Sequence, residues 1–258
     1  MSTALITGAS GGIGKAFAVY MAAHGINLVL VARSEVKLNQ LASDLQAKHN
    51  IKVDVIIQDL TETGATKAIF DYTQERGITI DFLINNAGFG DYGDFAESDE
   101  NRQTQIVQLN ILALVDLTHK YLPLMRHQRS GNIINIASLT AFQPMPYISV
   151  YAATKAFVLS FSQALWAENR NYGVRILCSC PGPTNTNFFV EAKFPEAIAA
   201  KNTQVSTPEV VVRDTFRALE KGDSVVISGG FTNNAIAHLS RILPRKTLVS
   251  FLEKQFKV

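Results

Sequence analysis

Ala4-Leu5-Ile6-Thr7-Gly8-Ala9-Ser10-Gly11-Gly12-Ile13-Gly14, running on through a helical pattern to Gly25 and then into Ile26-Asn27-Leu28-Val29-Leu30-Val31-Ala32, is the stretch that decides the fold. Ala4 to Thr7 reads as a short apolar strand. Apolar residues at helical spacing (Ile13, Phe17, Tyr20, Met21) follow the glycines and stop at Gly25, and Ile26 to Ala32 reads as a strand buried on both faces. Strand, glycine turn, helix, strand is the βαβ unit that sets a pyrophosphate on a helix N-terminus, where free N–H groups and the macrodipole favour anions.

Position 33 lies at the end of the second strand, where an NAD-binding unit places an acidic residue on the ribose 2′-hydroxyl. Here it is Arg33. A guanidinium suits a 2′-phosphate, with Ser34 and Lys37 as helpers a turn away, so NADP(H) is expected over NAD(H). The alternative is a solvated arginine at a strand end.

Strand and helix keep alternating. Helices are expected over residues 35–48 and 62–76, and strands over 53–57, 80–84, 133–137, 174–180 and 224–228. Asp59-Leu60, Asn85-Asn86-Ala87-Gly88, Ser138 and Pro181-Gly182-Pro183-Thr184 all fall at strand C-terminal ends, where an open parallel sheet binds its ligands. The whole reads as one α/β domain over 1–258, a doubly wound parallel (Rossmann) sheet in the order 3-2-1-4-5-6-7.

Tyr151 and Lys155 stand four apart at the head of a helical run (Ala152, Ala156, Leu159, Ser160, Ala164, Leu165), so their side chains share a face. A phenol is a poor acid at neutrality, but an ammonium beside it is expected to draw its pKa down toward the working range. Ser138 can bring a hydroxyl to the same point. Asn110 sits in a helical run (Ile106, Leu109, Ile111, Leu114), where an amide is costly unless bonded; by itself it reads equally as a satisfied core amide.

The chain has 258 residues, 47% apolar and 18% charged, enough for one large core. A net charge of +2 does not suggest nucleic acid as a partner. Cys178 and Cys180 are expected to point to opposite faces of a strand, making neither a disulfide framework nor a metal cluster. No charged leader precedes Thr3 and no run of about 18 apolar residues occurs, so a cytoplasmic protein is expected.

Thr7-Gly8-Ala9-Ser10-Gly11-Gly12-Ile13-Gly14, Asn85-Asn86-Ala87-Gly88, Asn110, Ser138, Tyr151-x-x-x-Lys155 and Pro181-Gly182 resemble the ordered signatures of the classical short-chain dehydrogenases/reductases over roughly residues 3 to 190. Asn86 to Gly90 and Tyr147 to Phe157 most resemble a branch of bacterial reductases, itself similar to the hydroxysteroid dehydrogenases and long-chain 3-oxoacyl-CoA reductases. The resemblance implies an NADP(H)-dependent interconversion of a carbonyl and a secondary alcohol, on an apolar ketone, 3-oxoacyl or steroid-like substrate. Tyr151 would act as general acid/base, Ser138 would place the carbonyl oxygen, Lys155 would hold the nicotinamide ribose, and Asn110 would anchor a water that passes protons to Lys155. It also implies that Gly8, Ser10, Gly12, Ile13 and Gly14 hold the phosphates, with Arg33 on the 2′-phosphate and Asp59, next to Leu60, on the adenine. Asn86, Ala87 and Gly88 would flank the adenosine ribose; Pro181, Gly182, Thr184 and Thr186 would meet the nicotinamide end. Family habit makes a homodimer or homotetramer expected.

Phe89, Phe142, Pro144, Met145, Tyr147, Phe188 and Phe189 are the expected pocket border, with a lid near residues 185–205. Thr207-Pro208-Glu209 is expected to open a helix by a cap and a first-turn proline. From Phe231 to Val258 the chain carries Arg241, Arg245, Lys246, Lys254 and Lys257 against Glu253 alone. This basic amphipathic extension fits a membrane surface, a subunit interface or its own domain. The rival to an enzyme is an NADP(H)-sensing protein that kept the fold without the chemistry; the complete Ser138, Tyr151 and Lys155 set favours the enzyme.

Overall fold

In chain order the first half runs β1 (Thr3–Thr7), α1 (Gly12–Ala23), β2 (Asn27–Ala32), α2 (Glu35–His49), β3 (Val53–Ile57), α3 (Ala65–Glu75), β4 (Phe82–Asn85) and α4 (Glu100–Val107). A π-helical turn (Gln108–Ala113) joins α4 to α5 (Leu114–Gln128), followed by β5 (Gly131–Ile136), α6 (Ser149–Asn169) and β6 (Val174–Pro181). Two short helices, α7 (Phe188–Glu191) and α8 (Glu196–Ala199), lead to α9 (Pro208–Lys221), β7 (Val225–Ser228), α10 (Phe231–Ile242) and α11 (Arg245–Phe256). The structure, a computed structural model, describes residues 1–199 and 205–257. Residues 200–204, within the expected lid, lie outside the described residues.

All seven strands pair in parallel, in the expected order β3-β2-β1-β4-β5-β6-β7. Successive strand residues face opposite sides, and both sides are covered. Ile6, Leu28 and Leu30 pack under α1, α2 and α9 against Phe17, Leu38 and Phe216. Leu5, Val29 and Val31 face the other way, toward Ile69 of α3 and Leu117, Tyr121 and Met125 of α5. The turn into α1 needs its glycines for space: a Cβ on Gly14 would lie 2.3 Å from the Gly8 carbonyl oxygen.

Four local expectations need correction. Cys178 and Cys180, two apart on one strand, share a face, and their sulfurs lie 3.8 Å apart as buried free thiols. On α6 the buried stripe is Tyr151, Ala152, Lys155, Val158, Leu159 and Ser162, while Ala156, Ser160 and Ala164 are exposed: the small residues form a second face, turned outward. α3 begins at Ala65 rather than residue 62, because Gly64 takes a left-handed φ of 82° that no helix carries. α9 starts at Pro208 as expected, but the Thr207 hydroxyl makes no capping bond to its backbone.

The basic tail docks on its own domain. Leu248 and Leu252 of α11 are buried against Met145, Ile148, Tyr151 and Ala152, and the Tyr92 hydroxyl donates to the Phe256 carbonyl. Its cations Arg245, Lys246, Lys254 and Lys257 stay exposed.

Candidate active site

The C-terminal ends of β1, β4, β5 and β6 open into a cleft of about 1470 Å³. A pocket for one small molecule spans roughly 300–1,000 Å³, so this one has room for a large cofactor and a second compound together. One arm is lined by Gly8, Ser10, Gly12, Ile13, Arg33 and Lys37, the centre by Asn86 to Gly88, Ser138, Tyr151 and Lys155, and the other arm by apolar side chains.

The first arm fits a dinucleotide on its own chemistry. Gly11 caps α1 with no side-chain bond and the first turn holds no carboxylate, so its N–H groups face the cleft without a competing anion. Thr7 Oγ1 accepts from the Asn86 and Ala87 N–H groups, both at 3.0 Å, and Asn86 Nδ2 donates to the Thr7 carbonyl at 2.9 Å. Asn86 therefore works by stapling the glycine loop to the end of β4. At the far end Arg33 is exposed and stands 3.7 Å from Asp59. Burial pushes the Asp59 carboxyl up, but bonds from the Thr61 N–H and hydroxyl and the nearby Arg33 more than offset it, and its pKa lies below the ordinary value. Asp59, Ser34 and Leu60 do not line the cleft. Leu60 is a core residue packed with Val31 and Ile69, so its expected cofactor contact could come only from its backbone.

At the centre, Tyr151 and Lys155 are both buried on α6, one turn apart. The Ser138 hydroxyl bonds to the phenol and also accepts from the Thr140 N–H at 3.2 Å. Lys155 Nζ donates to the Ile136 carbonyl at 2.8 Å and lies 5.6 Å from the Tyr151 ring centroid. A Cβ on Gly88 would come within 2.9 Å of Asn110 Oδ1 and 3.3 Å of Lys155 Nζ, so amide and ammonium close on one spot.

The titration of this pair departs from expectation. Burial pushes the Tyr151 phenol up to about 12, and only the Ser138 bond works against it. The ammonium is aimed at a carbonyl rather than the phenolic oxygen, so desolvation wins. Lys155 moves the other way, to about 8, because burial disfavours its charge.

Asn110 is a bonded amide inside the π-helical turn. Its Oδ1 accepts from the Phe89 N–H at 3.2 Å, and its Nδ2 donates to the Phe89 carbonyl at 3.1 Å and to Thr154 Oγ1 at 3.0 Å. Thr154 in turn donates to the Tyr151 carbonyl at 2.7 Å. The side chain thus ties the loop after β4 to α6, and its amide is largely committed to protein rather than to a water.

Pro181, Gly182, Thr184 and Thr186 line the cleft beside this centre. The Thr184 and Thr186 hydroxyls donate to the Gly182 and Thr184 carbonyls, which shapes the turn. Of the expected pocket border, Phe89, Met145, Phe188 and Phe189 line the cleft. Phe142 is instead buried in the core with Val158 and Leu159, Pro144 is exposed, and Tyr147 packs on Tyr92.

Sequence reasoning missed the wall supplied by α10 and α11: Ile236, Leu239, Leu248, Phe251, Leu252 and Phe256. Their apolar spacing was visible, but nothing in it says which surface the helices cover. It also missed Asn233, which donates to the Ser228 carbonyl at 2.8 Å and packs so tightly on Gly182 that a Cβ there would fall 2.1 Å from its Nδ2. No sequence signal marks that amide.

The short chain dehydrogenase family matches residues 2–196. A very-long-chain 3-oxoacyl-CoA reductase of Phaeosphaeria nodorum is 36% identical over 181 residues, which are 68% of this chain and 52% of the relative, so the chain spans about half of that protein's length. A 7beta-hydroxysteroid dehydrogenase of Collinsella aerofaciens is 30% identical over 86% of this chain and 84% of its own. Among solved structures, a short-chain dehydrogenase from Sphingobium yanoikuyae in complex with NADPH superposes with a TM-score of 0.82, at 32% identity, covering 88% of this chain and 87% of that one. The chain belongs to the short-chain dehydrogenases, oxidoreductases acting on CH–OH groups.

Proposed function

We propose that this chain is an NADP(H)-dependent reductase or dehydrogenase that interconverts an apolar ketone, 3-oxoacyl or steroid-like carbonyl compound and its secondary alcohol. The observation that carries the reading is the meeting of Ser138, Tyr151 and Lys155 where a cradle for a dinucleotide opens into an apolar arm. The relatives named above act on acyl and steroid carbon skeletons by their names, and the lining by Met145, Ile148, Phe188, Leu248 and Leu252 suits such skeletons.

The dinucleotide, when bound, supplies or takes up the hydride. Gly8 to Gly14 and Arg33 would hold it. The chain supplies the proton and the placement. Tyr151, protonated at neutral pH, holds the proton that the carbonyl oxygen must receive, and Ser138 orients that oxygen by a second hydrogen bond. Lys155 places positive charge beside the centre, which favours the phenolate once the proton has left. The walls from α10 and α11 exclude water, which strengthens each of these interactions.

Arg33 supports the preference for NADP(H), since no carboxylate occupies its position. Arg33→Asp is expected to lower kcat/KM with NADPH by about 10- to 100-fold, the worth of a charge-assisted contact, and to make NADH the better stabiliser in thermal-shift assays. An unchanged NADPH preference would remove Arg33 from the cofactor site. The reading as a whole is tested by following NADPH absorbance across ketones, acyl thioesters and steroids. Tight NADPH binding with no turnover anywhere on that panel would leave the silent sensor standing instead.

The assembly and compartment belong to the same proposal: a homodimer or homotetramer in the cytoplasm. The exposed face of α6, with Ala156, Ser160, Ala164 and Phe157, which stacks on the half-buried Phe161, supports the oligomer as a largely uncharged surface. A monomer by light scattering at micromolar concentration would count against it.

A further inference from the structure

Just past β4, Asp91 carries a carboxylate that is only 7% exposed. Three side chains meet it: Arg102 Nε donates to Oδ1 at 2.6 Å, Gln103 Nε2 donates to Oδ2 at 3.2 Å, and Lys193 Nζ stands 3.5 Å from Oδ1. The Arg102 guanidinium also reaches two carbonyls far apart in the chain. Its Nη2 donates to Gly90 O at 3.3 Å and to Glu191 O. Arg102, on α4, thereby joins the loop after β4 to the last residue of α7. The Tyr92 N–H reinforces the seam with a bond to the Ala192 carbonyl at 2.8 Å.

α7 is four residues long, too short to hold its own geometry, so its position is set by bonds from outside. Its first residue is Phe188. That ring packs against Tyr151 with centroids 5.0 Å apart, and Gly90 lies directly beneath the contact. A Cβ on Gly90 would stand 3.2 Å from Phe188 Cζ and 3.3 Å from Tyr151 Cδ2. Gly90, whose carbonyl Arg102 grips, therefore abuts both rings.

We infer that Arg102 and Asp91 are positioning residues that fix the height of Phe188 above Tyr151, and so set the breadth of carbonyl compound that the cleft accepts. The selectivity part rests on the reading of the cleft as a ketone or alcohol site. Only a planar, five-donor group can serve the carboxylate and two carbonyls at once; a lysine can keep the charge pair but not the fork. With the pair intact α7 is held down and the space over the phenol is narrow. With Arg102 neutralised, a buried carboxylate loses its main partner and the seam opens before the sheet does.

The test has two arms. In hydrogen exchange on the protein alone, Arg102→Gln and Asp91→Asn are each expected to speed the amides of residues 188–194 by about tenfold or more, with residues 3–14 and 27–32 unchanged. Arg102→Lys, the variant most certain to fold, is expected to show a smaller rise in the same segment. In activity assays, Arg102→Gln and Phe188→Ala are both expected to raise the ratio of kcat/KM for a bulky ketone to that for a small one by about tenfold, with most of the change in KM. Exchange that stays flat over 188–194, or rises evenly through the sheet, overturns the seam. Exchange that rises locally without a selectivity change overturns the role in breadth. If no ketone is turned over by the parent protein, the reading as a ketone site has failed, and the exchange arm still decides the seam.

Discussion

Tyr151→Phe is expected to lower turnover by about two to four orders of magnitude, the usual worth of a positioned acid or base, while NADPH still protects the protein against heat. The change removes one oxygen and leaves the ring packed on Phe188 at the base of α7 and α11. Among the described residues, the phenol is the acidic side chain that both lines the cleft and is bonded to Ser138. Because burial holds its pKa near 12, it carries the proton at every pH the enzyme would meet. The loss should therefore be flat from pH 6 up to about pH 8, where Lys155 begins to shed the charge that favours the phenolate. Activity within tenfold of the parent protein would end the assignment.

Lys155→Met is expected to abolish most activity and at the same time raise the melting temperature of the ligand-free protein at pH 7. Burial lowers the Lys155 pKa from 10.5 to about 8, so the folded state holds a charge it would rather shed, at a cost of about 3 kcal/mol. The sign follows from proton counting. Below pH 8 both folded and unfolded chains carry the proton and the full cost is present; between pH 8 and 10.5 the unfolded chain binds more protons, so stability climbs with pH; above 10.5 the cost is gone. A methionine fills similar volume without charge, and the gain over the parent should therefore shrink as pH rises through that window. The lost bond to the Ile136 carbonyl offsets part of the gain. A variant that melts lower at pH 7, or whose gain grows with pH, would contradict the burden assigned to this ammonium. Activity, conversely, is expected to fall in the parent as pH passes about 8 and the charge beside Tyr151 disappears. Stability given up at a working site is the usual trade.

Much of this was legible in the residues because local signals agreed with the global fold. The glycine turn, the apolar strands and the residues at strand ends each report on a few neighbours, and the sheet order follows from their alternation. Tyr151, Lys155 and Ser138 met as expected because a helical turn and one strand end suffice to bring them together. What failed needed distance in sequence. The phenol's titration depends on α11 burying it, and no pattern near Tyr151 encodes a helix a hundred residues on. Phe142 and Leu60 read as site residues since they neighbour strand ends, but side-chain direction sends both into the core. The two stripes of α6 differ only in which one finds a partner inside the chain. The seam at Arg102 was invisible because its carbonyl acceptors are backbone atoms, which any residue carries.

The docking of α11 on Tyr151 has a consequence during synthesis. The strands that cradle the dinucleotide leave the ribosome first, and the chamber for the second reactant lacks a wall until residues 245–256 have emerged. The apolar cover over Tyr151 is thus the last part of the cleft to be made, after all seven strands of the sheet.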